Sequence, residues 1–274
     1  MSGSRLQGYL RIECRADASG RTFLSRQSFR APIHLSKPHW DGHHLIVNIV
    51  NPTAGLFAGD SIELAVRVCA GARVVLTSPS AARVFRATDS VQSTRVVQSI
   101  VIERGGRLDL FPEIFIPHGG ARYSQTTRIE LHAGGELFFT EMMAPGRTAS
   151  GEAFAYDRLD FATDLVVADR LVLRERYSLP SLDGIMPAWR KRFPNAYYAS
   201  AFLVSERLGG DALRREVAAL SKAPVIAGAS YPSAGVCAIK IVAADSISLR
   251  SAVARIRALG YAVLGEPEPR LRKL

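Results

Sequence analysis

The feature that most constrains this chain is a recurring unit: an apolar run, a short glycine turn, and a second apolar run. It reads VRVCAGARVVLT at 66–77, IVIERGGRLDLF at 100–111 and IELHAGGELFFT at 129–140. A weaker fourth copy, LVVADRLVLRE at 165–175, carries Asp169 at its turn. Glycine suits such turns because they need positive φ, which a side chain resists. The flanking period is that of strands: Ile62, Leu64, Val66 and Val68 alternate with Ser61, Glu63, Ala65 and Arg67, as on a half-buried sheet. Units roughly 30 residues apart predict stacked β layers, each burying an apolar face that it cannot bury alone. A β-sandwich of hairpins satisfies the same spacing, and periodicity does not separate the two.

Beyond Pro180 the texture changes. Pro180, Pro187 and Pro194 predict an irregular connection over 181–210, since proline interrupts both helices and ladders. Asp211 is placed to cap a helix over 212–221, with Leu213, Val217 and Leu220 on one face. Two short strands are expected near 224–229 and 235–243. A second helix is expected after Asp245, through Leu249, Val253, Ile256 and Leu259, stopping at Gly260. The expected fold class is therefore mainly β. It has an all-β body over 1–180, built of solenoid-like layers of antiparallel and mixed strands, and a small α+β element of two helices over 211–274 packed on that body, together one domain.

Composition narrows the function classes. An apolar content of 47% excludes a disordered tail protein, and Gly 22 with Pro 14 excludes a collagen-like one. The net charge of +10 invites a nucleic-acid reading, but no aromatic residues interleave with the basic clusters at 190–192 and 270–273 as a base-stacking platform requires. The cations are nearly all Arg, with Lys only at Lys37, Lys191, Lys222, Lys240 and Lys273. Cys14, Cys69 and Cys237, at unrelated spacings, offer neither a disulfide framework nor a CxxC metal site and suit a reducing compartment. The N-terminal MSGSRLQGYLRIEC lacks the apolar core of a signal peptide, and the longest uncharged stretch, 223–239, is interrupted by Pro and Gly. A cytoplasmic protein without a membrane partner is expected.

No conventional active site emerges: GxSxG, HExxH and a Cys with a recognisable His partner are all missing. NPTAGLFAGD at 51–60 has the glycines of a phosphate loop but no Lys-Ser/Thr after them, and Asp60 would repel phosphate. HWDGHH at 39–44 supports two readings. His39, Asp41 and His43 on an extended strand would share a face and suit nickel or zinc, whereas Asp41-Gly42 is a hairpin-turn signal that destroys that geometry. A β-solenoid enzyme acting on an acidic polysaccharide and a basic nucleic-acid module are the alternatives that charge and layering allow.

Several blocks, in order, resemble the urease accessory protein family UreD, also called UreH. Pro52, Gly55, Gly59 and Asp60 stand in its proline/glycine loop. Thr77, Ser78, Ala81, Ala82, Arg83, Val84, Phe85 and Arg86 stand in the segment that follows, with Arg83 where Lys is usual and Phe85 where Tyr is usual. PEIFIPHGGARY at 112–123, with Glu113 and Pro117, is similar to its Pro-x-x-x-Ile-Pro-Phe motif, His118 replacing Phe. GRTASGEAF at 146–154 is similar to its Gly-Arg-x-Ala-Ser-Gly-Glu block, with Gly151 and Glu152. The resemblance implies a helical β-structure and a non-catalytic maturation factor. Such a factor binds urease apoprotein, UreF and, through UreF, the GTPase UreG in a larger hetero-oligomer. It implies no tightly bound cofactor, GTP bound by the partner, and nickel in transit to the urease active site through an internal passage. A passage needs several weak contacts rather than one tight site, and Asp60, Glu113, Glu141 and Glu152 are the candidates for them.

Overall fold

The computed structural model describes residues 6–87, 92–180, 191, 194–209 and 212–271. Two sheets lie face to face. The first has the order β15-β14-β12-β9-β6-β1-β2, from β1 (Gln7–Ala16), β2 (Thr22–Arg30), β6 (Ser61–Val68), β9 (Thr94–Ile102), β12 (Arg122–Leu131), β14 (Arg158–Val167) and β15 (Arg170–Pro180). The second runs β17-β18-β16-β13-β10-β7-β5-β3, from β3 (His34–Leu35), β5 (His44–Val50), β7 (Arg73–Thr77), β10 (Arg107–Phe111), β13 (Glu136–Met143), β16 (Tyr197–Val204), β17 (Val225–Ser233) and β18 (Val236–Ala243). Short strands β4 (His39–Asp41), β8 (Ala82–Val84) and β11 (Phe115–Pro117) attach at its margin.

The recurring unit is one rung of a coil. At Gly71, Gly105 and Gly134, all with φ near +70° (71°, 68° and 73°), the chain leaves the first sheet and enters the second. It does not fold back on its own neighbour. β1, β6, β9, β12 and β14 are consequently parallel to one another, as are β5, β7, β10 and β13. The corners stack: Gly105 N–H donates to the Gly134 carbonyl at 3.0 Å. The fourth copy differs. Ala168 and Asp169 take φ of 47° and 61°, the pair of positive angles that closes a two-residue hairpin. β15 therefore returns antiparallel on β14 and ends the coil.

The hydrophobic pattern follows from what each face meets. Strands of the first sheet alternate because their outer face meets water; β12 is buried at every second residue. Central strands of the second sheet are covered on both sides, and β10 is buried throughout, as expected of a sheet between two layers, while the edge strand β17 is exposed at every second residue. Leu76, Leu110 and Phe139 face the inter-sheet core. Val75, Phe111 and Phe138 face a second core, under a short helix, Ala212–Ala219, and a long helix, Ser246–Leu264.

Three expectations change here. The stretch 181–210, expected to be irregular, contains β16, a central strand between β13 and β18; its run of buried small and apolar residues does not alternate because both faces are covered. Residues 181–190, 192 and 193 and the expected cap Asp211 lie outside the described residues. The C-terminal strands extend the second sheet instead of forming a layer of their own, and the first of them runs to Ser233. The long helix, capped by Asp245 accepting from Ser248 N–H at 2.8 Å, continues past Gly260 and ends at Gly265, where φ is 66°. Gly260 is a packing residue: a Cβ there would lie 2.5 Å from Phe138 Cε1.

A polar seam between the sheets

The motif residues of the Pro52–Asp60 loop form a clasp at one end of the inter-sheet space. Asp60 is buried and its carboxylate accepts from Leu6 N–H at 2.9 Å and Phe57 N–H at 2.8 Å. Gly55 lets the loop approach the following segment, since a Cβ there would sit 2.7 Å from the Arg83 carbonyl. Leu56 and Arg83 are joined backbone to backbone, Phe57 stacks on Phe85 at 4.8 Å, and Arg83 itself is exposed. Pro117 pairs with Val84 across β11 and β8.

Two more of the candidate carboxylates are each held by an arginine. Glu113 is buried and accepts from Arg250 Nη1 at 2.6 Å. Glu152 accepts from Arg147, Nε at 2.9 Å, and from Gly119 N–H at 2.9 Å, contacts that hold its carboxyl down at about 2. Gly151, with φ of 75°, closes the short turn before it. The HWDGHH segment is a hairpin, with Gly42 at φ 57° between β4 and β5. Among the described residues no three His, Cys, Asp or Glu side chains form a metal-holding group.

Glu141 is placed differently. It points from β13 into a cavity of about 210 Å³ between the sheets, lined also by Asn51, Gly55, Arg83, Gln98 and Gln125. Its Oε1 accepts from Gln125 Nε2 at 2.5 Å, and Gln125 in turn accepts from Tyr123 Oη at 2.6 Å. The strand registers extend this arrangement into a belt. On the first sheet Gln98, Thr127, Thr163 and Glu175 stand side by side on β9, β12, β14 and β15. On the second, Glu141, Ser200 and Lys240 stand side by side on β13, β16 and β18. All are inward positions flanked by core residues such as Ile100, Leu165, Phe139 and Phe202. Lys240 Nζ is bonded to Glu175 and donates to Ser200 Oγ at 2.7 Å. Glu175 borders a second cavity of about 340 Å³ with Tyr177 and Tyr198. A polar seam thus runs through an otherwise apolar interior, with Glu141 on the first cavity, Glu175 on the second and Lys240 half-exposed at its end.

Burial raises the Glu141 carboxyl from 4.5 to about 7; the Gln125 hydrogen bond and Lys240 pull it down, and the charge of Glu175 pushes it up. The folded value lies above the unfolded one, so the stability this group contributes is complete below pH 4.5 and is lost as pH rises through 7. Stability is expected to fall by about 1 kcal/mol more between pH 6 and 8 in the native chain than in Glu141→Gln. Urea titrations at the two pH values measure this difference, with Tyr123, Tyr177, Glu175 and Lys240 unchanged around it. Equal slopes for both proteins would show that Glu141 is not enclosed.

Gln125, Ser200 and Lys240 lie in no motif block, and Glu175 lies in LVLRERYSL at 171–179, which resembles a UreD strand without marking this residue. Their signal is polar chemistry at inward positions of alternating strands, legible only once the rungs are aligned by register.

On the far face of the second sheet lies a separate ionic cluster. Asp109 is fully buried and accepts from Tyr261 Oη at 2.5 Å and Arg107 Nε at 3.1 Å. Arg107 Nη1 reaches Glu266 at 2.7 Å, and Glu266 also binds Arg73 and Arg207. The cluster ties the end of the long helix to β10.

The geometry has close company. The family model described as UreD urease accessory protein matches residues 6–273. A urease accessory protein UreD from Opitutus terrae is 38% identical, over 97% of this chain and 96% of that protein. Namesakes from Herpetosiphon aurantiacus and Deinococcus radiodurans are 30% and 32% identical over 77% and 79% of this chain, and 72% and 76% of their own lengths. With the match running through both sheets and both helices, the chain belongs to the UreD family of urease accessory proteins.

Proposed function

We propose that this chain is a non-catalytic scaffold of urease maturation in the cytoplasm. It binds urease apoprotein and UreF, and through UreF the GTPase UreG, and it passes nickel toward the urease active site along the seam between its sheets. GTP binding and hydrolysis belong to UreG. The observation that carries the reading is the in-register polar belt on the two sheets, whose carboxylate, amide and hydroxyl oxygens include Glu141 on one cavity and Glu175 on the other. Scattered oxygen ligands hold a divalent ion weakly and release it, whereas a converged set retains it. Nickel contact is assigned first to Glu141. Asp60, Glu113 and Glu152, each already satisfied by backbone or guanidinium donors, shape the clasp and walls around it.

The test is co-expression with urease subunits, UreF and UreG. Glu141→Gln is expected to lower the nickel content and activity of the recovered urease severalfold while UreF still copurifies. Full nickel loading by the variant, with the complex intact, would remove the seam from the delivery route.

A further inference from the structure

We propose that Lys240 sets cation occupancy in the seam: its ammonium holds the place beside Glu175 and Ser200 that a divalent cation must take over to bind Glu175 at the border of the second cavity. The inference rests on the reading of the seam as a cation route. Four observations support it.

Lys240 occupies an inward position on β18 between Ala238 and Val242, where the strand otherwise supplies core residues. Its ammonium is bonded to Glu175 and to Ser200 Oγ, and lies 4.9 Å from the Phe202 ring centre. Glu175 is further contacted by Tyr198 Oη at 3.3 Å and Ser200 Oγ at 3.4 Å, so the carboxylate sits in a small oxygen-rich pocket already filled by a cation. Glu141 stands two strands away at the same level, within electrostatic reach of both charges.

The choice of residue adds a further argument. Among the described residues the ion pairs draw on Arg, with His44 beside Asp109, and Lys240 is the exception. Arg is the better residue for a fixed pair, because its planar fork is pre-organised for a carboxylate. Lys is a point charge on a flexible four-carbon stem that can swing aside while its three donors find other acceptors. Stability alone does not account for the pair: the Lys240 side chain is 40% exposed, and an ion pair open to water contributes roughly 1 kcal/mol at most. A resident monovalent cation does something an apolar pair cannot. It holds the Glu175 carboxylate in place for a metal, yet repels the metal once it has entered, so the ion is not retained.

The test uses the purified full chain and Ni²⁺ alone, followed by isothermal titration calorimetry. Lys240→Met is expected to bind Ni²⁺ at least about tenfold more tightly than the native chain, a difference of about 1.4 kcal/mol. The double variant Glu175→Gln with Lys240→Met is expected to lose that gain, because no carboxylate remains in the pocket. A folded Lys240→Met chain with native affinity overturns the proposal. If Lys240→Met does not fold, Lys240→Arg decides: the charge is kept but the fork is fixed, so Ni²⁺ binding is expected to weaken severalfold, and native or tighter binding overturns the proposal. The outcome is separable from that of the delivery reading. Tighter Ni²⁺ binding by Lys240→Met, together with full urease activation by Glu141→Gln, would leave the occupancy role standing and the delivery role refuted. The reverse pair of results would refute the occupancy role alone.

Discussion

Asp109→Ala is expected to destabilise the protein by about 3 kcal/mol, well beyond the roughly 1 kcal/mol at most that an exposed ion pair contributes. Asp109 and Arg107 are 0% and 2% exposed, so removing the carboxylate leaves a guanidinium in the interior without one of its hydrogen-bonded counter-charges. Such losses run to about 3–5 kcal/mol; the lower end applies because Glu266 still reaches Arg107 Nη1 at 2.7 Å. Tyr261 also loses the acceptor of its hydroxyl, a buried donor left unmade at a cost of roughly 1 kcal/mol or more. Chemical denaturation measures the change. The double variant Arg107→Met with Asp109→Leu provides the diagnostic comparison: with both charges gone it is expected to be much less damaged than Asp109→Ala. If the two are equally destabilised, the cost comes from lost packing and not from the orphaned charge.

Gly146→Ala is expected to cost about 3 kcal/mol or more and to open the segment that carries Glu152. Gly146 has φ of 145°, and a Cβ built on it would lie 2.0 Å from the Glu152 carbonyl oxygen and 3.4 Å from that of Pro117. Neither neighbour is a flexible side-chain tip; both are backbone, so the loop itself must move. Strained backbone contributes roughly 1–3 kcal/mol on its own, and the overlap adds to it. The contacts expected to go with it are the Phe154 N–H bond to the Pro145 carbonyl at 2.7 Å and the Gly119 N–H bond to Glu152 at 2.9 Å. Faster proteolysis within 145–154 at native temperature, together with a lowered melting temperature, would register both effects. A native melting temperature would show that the glycine is dispensable there.

The two predictions concern residues that the sequence presents very differently. Gly146 belongs to the GRTASGE block whose resemblance to UreD is legible in one dimension, although the reason for the glycine is not: it is the approach of a carbonyl six residues further along. Asp109 belongs to no motif. It interrupts the apolar run RLDLF, and what makes it tolerable, the hydroxyl of Tyr261 152 residues away, appears only when the long helix is laid on the sheet.

The repeated strand–glycine–strand unit and its alternation determined that the chain would be β-rich and layered, because side-chain period and positive-φ turns are local properties. The ordered motif blocks determined the family, and the family match over 6–273 bears that out. Local signals did not decide where each glycine corner leads. Gly71, Gly105 and Gly134 cross between sheets while Ala168–Asp169 closes a hairpin, and a corner and a hairpin demand similar backbone angles from the residues at the turn. Nor could they decide that Gly260 is packed against Phe138 instead of ending a helix, or that seven polar side chains would meet at one level. That seam depends on the register of strands far apart in the chain, and register is set by which whole faces are buried together. Only the tertiary structure carries that information.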